Sequence, residues 1–536
     1  MSPSKEDSQE PEIAIGARFV SEDDLGTVRF VGEVPPTKGI WLGVEWDNPE
    51  RGKHDGSRDG FQYFQCSSPT GGSFIRPKKA DFGTDFYTAL QERYVPDNKD
   101  TADIVEEDMF IYGTNNQVTM VEMVGAAEVA KHQSSFSSAK DVFLRDMRIN
   151  RVGSSELEQK VPKITELDLS KNLIPTWEVV ADICGQLKQL KRLTLSENRL
   201  QIPATPSSLK SSFANLQDLF LNYSNLTWPM VADCAPMWPQ LKNLHVCFNQ
   251  ITKIDQLRPG SFETLELLNV EGNQISEWDA IMQFSSLPRL NALILNSNSL
   301  ACVKFDDTPP TSKTQHFCNL TSLSISDNAI SSWRDISDLE KLASLTELRI
   351  RKNPFLKDLT PESIRELLVA KIGSLKVCNG STIGSSERKG SEIDYVRKTC
   401  KEWLASGGSR EEEKSNCSQE FLELHPRYPK LLEVYGIPEE SELVVKSSAL
   451  KGTLIQVTIK CPDEPTKKTL SKKLPGTMEV HRIKNLIHRL LKVDVTAQKL
   501  TYMSLKIPGK EIEMGNDMRQ LMHYSLENGD TILVRW

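Results

Sequence analysis

Between Ile164 and Phe355 the apolar residues fall into one phrase, Leu-x-x-Leu-x-Leu-x-x-Asn-x-Leu, said eight times. Its Asn place falls at Asn172, Asn198, Ser224, Asn249, Asn273, Asn298, Asn328 and Asn353, at steps of 24 to 30 residues. The alternating Leu-x-Leu predicts a short strand with both leucines turned inward. An Asn side chain is donor and acceptor at once, so it can satisfy backbone groups where the chain turns. One copy cannot bury its own apolar face, and neighbours must stack into a solenoid. Phe220, His245, Asn269, Ile294, Ser324 and Arg349 stand between the strand leucines and are expected on the concave side. Trp177, Trp278 and Trp333 follow their Asn by five residues and Trp228 follows Ser224 by four, a recurrence that predicts packing rather than ligand contact.

The period is that of leucine-rich repeats. Leu144-x-x-Met147-x-Ile149 carries the rhythm in weaker form, with Val152 in the Asn place, and is expected to cap the stack. Before it, residues 97–143 form a bridge in which Val118–Lys131 could pair as strand then helix and Gln133–Lys140 reads as loose. The long step before Asn328 falls in Val303–Gln315 around Pro309-Pro310, a surface loop that is also a candidate contact. Past Pro354, Ile364, Leu367, Leu368, Ile372 and Leu375 have helical spacing. This ending resembles the caps of the phosphatase-regulator and U2 small-nuclear-ribonucleoprotein leucine-rich families, which implies a helix and a short strand over the last edge. The solenoid with its cap is thus expected over 144–400.

Residues 11–96 read differently. Short apolar pieces, Thr27–Val31, Ile40–Trp46, Tyr63-Phe64 and Ser73–Arg76, are divided by turn residues, with eleven glycines from Gly16 to Gly83. That pattern predicts a small all-β barrel. The runs Gly39-Ile-Trp-Leu-Gly-Val-Glu-Trp-Asp47, Gly52-Lys-His-Asp-Gly56, Tyr63-Phe-x-Cys66 and Gly72-Ser-Phe-Ile-Arg76 resemble the CAP-Gly domain. The resemblance implies a reader of acidic C-terminal tails that end in an aromatic residue, with Trp41, Gly52, Lys53, His54, Asp55, Gly56, Phe74 and Arg76 as its site. Trp41 and Phe74 suit an aromatic ring, and Lys53 and Arg76 suit carboxylates. His54 stands where the family usually has Asn; it can donate as Asn does and titrates near neutrality. Trp46, Tyr63 and Phe64 fit core and groove equally.

At the other end, Ala405–Lys414 is Gly/Ser-rich and then charged, the composition of a hinge, within a linker and lead-in over 401–449. From 450 to 536 the pattern is strand, strand, amphipathic helix, strand, short helix, strand, which is the β-grasp order and resembles ubiquitin. The chain stops at Arg535-Trp536 without the Gly-Gly needed for conjugation, and the apolar patch of ubiquitin falls near Thr501 and Arg535. Lys451–Trp536 carries 15 Lys and Arg against 9 Asp and Glu, a basic domain suited to an acidic partner surface.

The fold class is therefore multidomain α+β: CAP-Gly barrel, leucine-rich-repeat solenoid and ubiquitin-like β-grasp. A net charge of −8 gives no global case for nucleic acid. No apolar run suits a membrane span, and the N-terminus has no signal-peptide core. The ten cysteines are scattered without metal spacing, which suggests reduced thiols and a cytosolic setting. No phosphate loop, zinc spacing or nucleophile elbow is present, so neither enzyme activity nor a cofactor is expected. The order of the three modules resembles the tubulin-folding cofactor E family. That implies a cytoplasmic, cytoskeleton-associated chaperone for α-tubulin, acting with other tubulin-folding cofactors to assemble or dissociate the α/β-tubulin heterodimer. A proteasome contact through the last domain is a further expectation. The rival readings are a microtubule plus-end or motor adaptor, for which no heptad coiled coil is visible, and a ubiquitin-pathway adaptor, for which no motif is visible.

Overall fold

The computed structural model describes residues 13–94, 110–112, 118–120, 136–153, 156–411, 416–439, 454–464, 466–505, 509–517, 519–524 and 526–536. Two compact units emerge, residues 1–436 and 437–536.

The first unit opens with antiparallel strands Arg18–Ser21, Asp24–Val34, Thr37–Trp46 and Gly72–Ile75, neighbours in that order. Phe19, Val28, Leu42, Val44 and Trp46 fill the core beneath them. After a short turn the chain enters the strand Thr84–Asp85 and the helix Phe86–Tyr94. This helix buries Phe86, Ala89 and Leu90 in the solenoid's core, not the barrel's. The expected barrel span of 11–96 thus takes in a strand and a helix that pack with the solenoid.

The solenoid sheet has eleven strands, parallel from Asp141–Phe143 to Val377–Cys378, with the antiparallel Ser381–Thr382 closing it. Leu167, Leu193, Leu219, Leu244, Leu268, Leu293, Leu323 and Leu348 stand in one register across it. Each is at most 2% exposed, and a leucine buried so fully contributes roughly 1.5–3 kcal/mol. The Asn column bridges repeats: Asn249 accepts from the amides of Ser224 and Leu226 at 2.8 and 3.2 Å and donates to the Leu221 carbonyl at 2.8 Å. Ser224 is too short to repeat this, and its hydroxyl donates only to the Asn222 carbonyl within its own repeat. Trp177, Trp228 and Trp278 are buried. The loop Val303–Gln315 is tied down by Phe305, which is buried, and by the Asp307 carboxylate accepting from Thr314 and Gln315.

The first strand of the stack differs from the expected one. Val142 pairs with Leu167, which places Met147, not Val152, in the Asn register. The reason is burial: Val142 and Leu144 both turn into the core, while Ile149–Arg151 leaves the stack to pair with Thr84–Asp85. In the bridge, Phe110–Tyr112 pairs antiparallel with Val118–Met120. The helix expected after Met120 lies outside the described residues.

At the far end, helices Pro361–Lys371 and Ser385–Ala405 cap the solenoid. In the expected linker and lead-in, helices Gln419–Leu424 and Tyr428–Tyr435 pack onto this cap. Lys371, 4% exposed, donates to Ser337 Oγ at 3.0 Å and to the Leu424 carbonyl, and burial pushes its pKa down to about 7. Arg427 reaches Glu392 at 2.7 Å, and Tyr428 donates to the Val396 carbonyl at 2.9 Å.

The second unit is a five-stranded sheet in the order Leu470–Pro475, Leu454–Lys460, Thr531–Arg535, Lys499–Met503, Glu511–Glu513. The helix Val480–Leu491 buries Val480, Ile483, Ile487 and Leu491. Glu511–Glu513 is an edge strand that the sequence reading did not anticipate.

Candidate functional site

Gly43 pairs with Phe74 across the barrel sheet, so Trp41 and Arg76, each two residues away, share one face with them. Gly43 must lack a side chain there, because a Cβ would lie 2.4 Å from the Phe64 ring. Phe74 sits among aromatic rings, 5.1 Å from His54, 5.4 Å from Tyr63 and 5.5 Å from Phe64, with Phe30 5.3 Å from Tyr63. The Arg76 guanidinium lies 3.9 Å from the Trp41 ring and donates to the carbonyls of Lys38 and Ile40 at 3.1 Å. It braces the hairpin while its charge stays without a carboxylate among the described residues.

The loop Gly52–Gly56 is strapped to the head of the strand that carries Phe74. Lys53 donates its amide to the Gly72 carbonyl at 2.7 Å, and Gly72 returns one to His54 at 2.7 Å. Gly52 and Gly56 are required by close approach: a Cβ on either would lie 2.0 Å from a carbonyl oxygen. The strap leaves the Lys53 side chain exposed, with no ion pair among the described residues. His54 accepts at Nδ1 from the Gly56 amide at 3.0 Å, which leaves Nε2–H as the ring's donor. Burial holds its pKa below the usual histidine value. Asp55 accepts from the Ser57 amide and hydroxyl, bonds that lower its pKa and make it a turn former.

The structure thus brings Trp41, Phe74 and Arg76 together on one face, with Lys53 and His54 on the adjoining loop; Gly52, Asp55 and Gly56 shape that loop. Trp46 and Phe64 are core, while Tyr63 is half-buried beside Phe74. Phe30 was missed by the sequence reading. Its alternation in Thr27–Val31 is broken by a bulge between Val28 and Phe30, which turns it toward Tyr63.

On the open face of the solenoid sheet Phe220 stacks on His245 at 4.2 Å, and in the turns that follow these strands Tyr223 stacks on Phe248 at 4.6 Å. Tyr223 and Phe248 are 57% and 39% exposed. They belong to the column just before each Asn, where Lys171, Glu197, Tyr223, Phe248, Ser297, Asp327 and Lys352 take φ of 51–61° and Gly272 takes 68°. Ser324 is buried, whereas Arg349 and Arg351 are exposed farther along. In the second unit, Arg535 donates to both Glu511 oxygens at 2.7 and 2.8 Å and to Thr501 Oγ1 at 3.2 Å. Thr501 and Arg535 thus belong to a polar clamp.

All ten cysteines are free thiols. Among the described residues no cluster could hold a metal ion, and no helix is long and apolar enough to cross a membrane.

The CAP-Gly domain family matches residues 15–80. Tubulin-specific chaperone E of Danio rerio is 45% identical over 527 residues, covering 98% of this chain and 99% of its own. That of Homo sapiens is 42% identical, covering 97% and 98%, and that of Drosophila melanogaster is 31% identical, also covering 97% and 98%. The solved C-terminal ubiquitin-like domain of mouse tubulin-specific chaperone E is 49% identical, covers 17% of this chain and 93% of its own, and has a TM-score of 0.16. With relatives matched from end to end at these identities, the chain belongs to the tubulin-specific chaperone E family.

Proposed function

We propose that this protein binds α-tubulin, holding its acidic C-terminal tail at Trp41, Gly52, Lys53, His54, Asp55, Gly56, Phe74 and Arg76. It acts with other tubulin-folding cofactors in assembling and dissociating the α/β-tubulin heterodimer, in the cytoplasm and in association with the cytoskeleton. As a chaperone it works by binding, not by turnover. The observation that carries the reading is the pairing of an aromatic cluster at Phe74 with two cations, Lys53 and Arg76, that have no carboxylate partner among the described residues. An aromatic-ended acidic peptide supplies both missing complements. The stacked aromatics at Tyr223 and Phe248 offer the folded body of tubulin a second, apolar hold. For the second unit, the Arg535–Glu511 clamp favours tubulin or a partner cofactor over a proteasome contact through the ubiquitin-type patch.

The test is affinity for a peptide ending Glu-Glu-Tyr. Lys53→Ala removes a charge-assisted contact worth about 1.5 kcal/mol and should weaken binding roughly tenfold. Unchanged affinity would remove the groove from this account. Mixing the protein with α/β-tubulin and partner cofactors and sizing the products separates chaperone from adaptor: intact dimers, with binding only to polymer, would favour the adaptor.

A further inference from the structure

Only residues 81–83 separate the CAP-Gly match from the strand Thr84–Asp85 that begins the solenoid's cap. Those residues are not slack. Phe82 packs on the barrel core near Phe19, at 6.2 Å between rings, while Phe86, four residues on, is fully buried in the solenoid. Gly83, at φ 79°, lies so close to Arg148 that a Cβ would be 1.9 Å from its carbonyl oxygen. Thr84 donates its amide to that carbonyl at 2.9 Å and pairs with Ile149, and Asn150 donates to the Phe82 carbonyl at 2.6 Å.

A second tie stands apart from this junction. Asp47, just past the end of the strand that carries Trp41, accepts at both carboxylate oxygens from the Arg18 guanidinium, at 2.6 and 2.5 Å, inside the barrel. Arg199 of the solenoid donates to its carbonyl at 3.0 Å and lies 3.5 Å from its carboxylate. Two ties, one at Asp47 and the other at Phe82–Thr84, leave no single pivot.

We infer that barrel and solenoid form one preorganised surface, read by a single partner that carries both an acidic aromatic-ended tail and a folded body complementary to the sheet's open face. The inference rests on the proposed tail groove. It assigns Arg199, Asp47 and Gly83 as positioning residues that touch neither tail nor body. A fixed spacing spares the partner the loss of effective concentration that a swinging module imposes.

The experiment uses the full chain with two probes, the free Glu-Glu-Tyr peptide and the intact α/β-tubulin dimer. A six-residue Gly-Ser insertion between Phe82 and Gly83, combined with Arg199→Ala, should leave peptide affinity within about twofold and weaken dimer binding tenfold or more, as expected when effective concentration drops. Equal dimer affinity in variant and parent, with peptide binding intact, would overturn the coupling. Failure of the parent to bind the peptide would instead overturn the groove, so the two failures are distinct. Should the insertion unfold the chain, hydrogen exchange on the unaltered protein decides: the Thr84 amide should exchange as slowly as the amides of the strand Arg192–Thr194. Exchange at loop rates would overturn the inference.

Discussion

At His54 the Nδ1 atom accepts the Gly56 amide hydrogen, which leaves the proton of the neutral ring on Nε2. An Asn side chain makes the same bond to the amide two residues on, so His54 replaces the family's usual Asn as an acceptor. Protonation of Nδ1 would abolish that bond. Burial disfavours the imidazolium, as do the Lys53 and Arg58 charges, while Asp55 opposes them, and the net shift is downward from 6.5. The unfolded chain therefore takes up this proton before the folded one as pH falls. The stabilisation is fully present above about 6.5 and is lost as pH falls through the lowered folded value. Tail-peptide affinity should accordingly hold steady at neutral pH and above and decline only as pH falls below the ordinary histidine value of 6.5. His54→Asn should bind comparably at neutral pH and lose that decline; a variant that kept it would place the titration elsewhere. The sequence marked His54 as unusual, yet its tautomer depends on how the strap to Gly72 orients the loop, which no spacing encodes.

Within the repeats, the column before each Asn sets a trade between conformation and contact. A left-handed backbone costs a non-glycine residue roughly 1–2 kcal/mol, and a stacked aromatic pair returns about 0.5–1.5 kcal/mol. Tyr223→Gly should therefore change thermal stability little, by under about 1 kcal/mol, because the two effects oppose each other. Its affinity for the tubulin dimer should fall severalfold while peptide binding stays constant; an undiminished dimer affinity would exclude this column from the contact. The leucine register from Leu167 to Leu348 was legible because every repeat keeps the same apolar alternation around it, and each slip would expose a leucine. The capping strand was not, because Val142, Leu144, Met147 and Ile149 supply apolar residues at both spacings. Only the competing partner, Thr84–Asp85, decides which of them joins the stack.

For the whole molecule, the extent of the first unit predicts where it can be cut. Truncation after Gly436 keeps the helices Gln419–Leu424 and Tyr428–Tyr435 and should leave melting of the first unit and tail-peptide binding near those of the full chain. Truncation after Ala405 removes the Leu424 carbonyl from Lys371 and uncovers Tyr395, both buried. It should lower the melting temperature by several degrees, consistent with a loss of about 2 kcal/mol or more from uncompensated buried polar groups. Equal melting of the two truncations would contradict the assignment of the lead-in to the cap. Three modules and their order were readable from glycine spacing, leucine period and β-grasp pattern. The joints between them were not, since a Gly/Ser run signals only that a chain can bend, while Phe82, Phe86 and Tyr428 fix where it does not. The joint at residues 81–83 also has a mechanical consequence. A flexible tether passes only tension from one body to another, whereas a joint held at two separated points passes torque. Under the proposed groove, a tail gripped at Phe74 would act on the repeats whose turns carry Tyr223 as the end of a lever, and thermal motion of the tail's owner would be felt there as leverage.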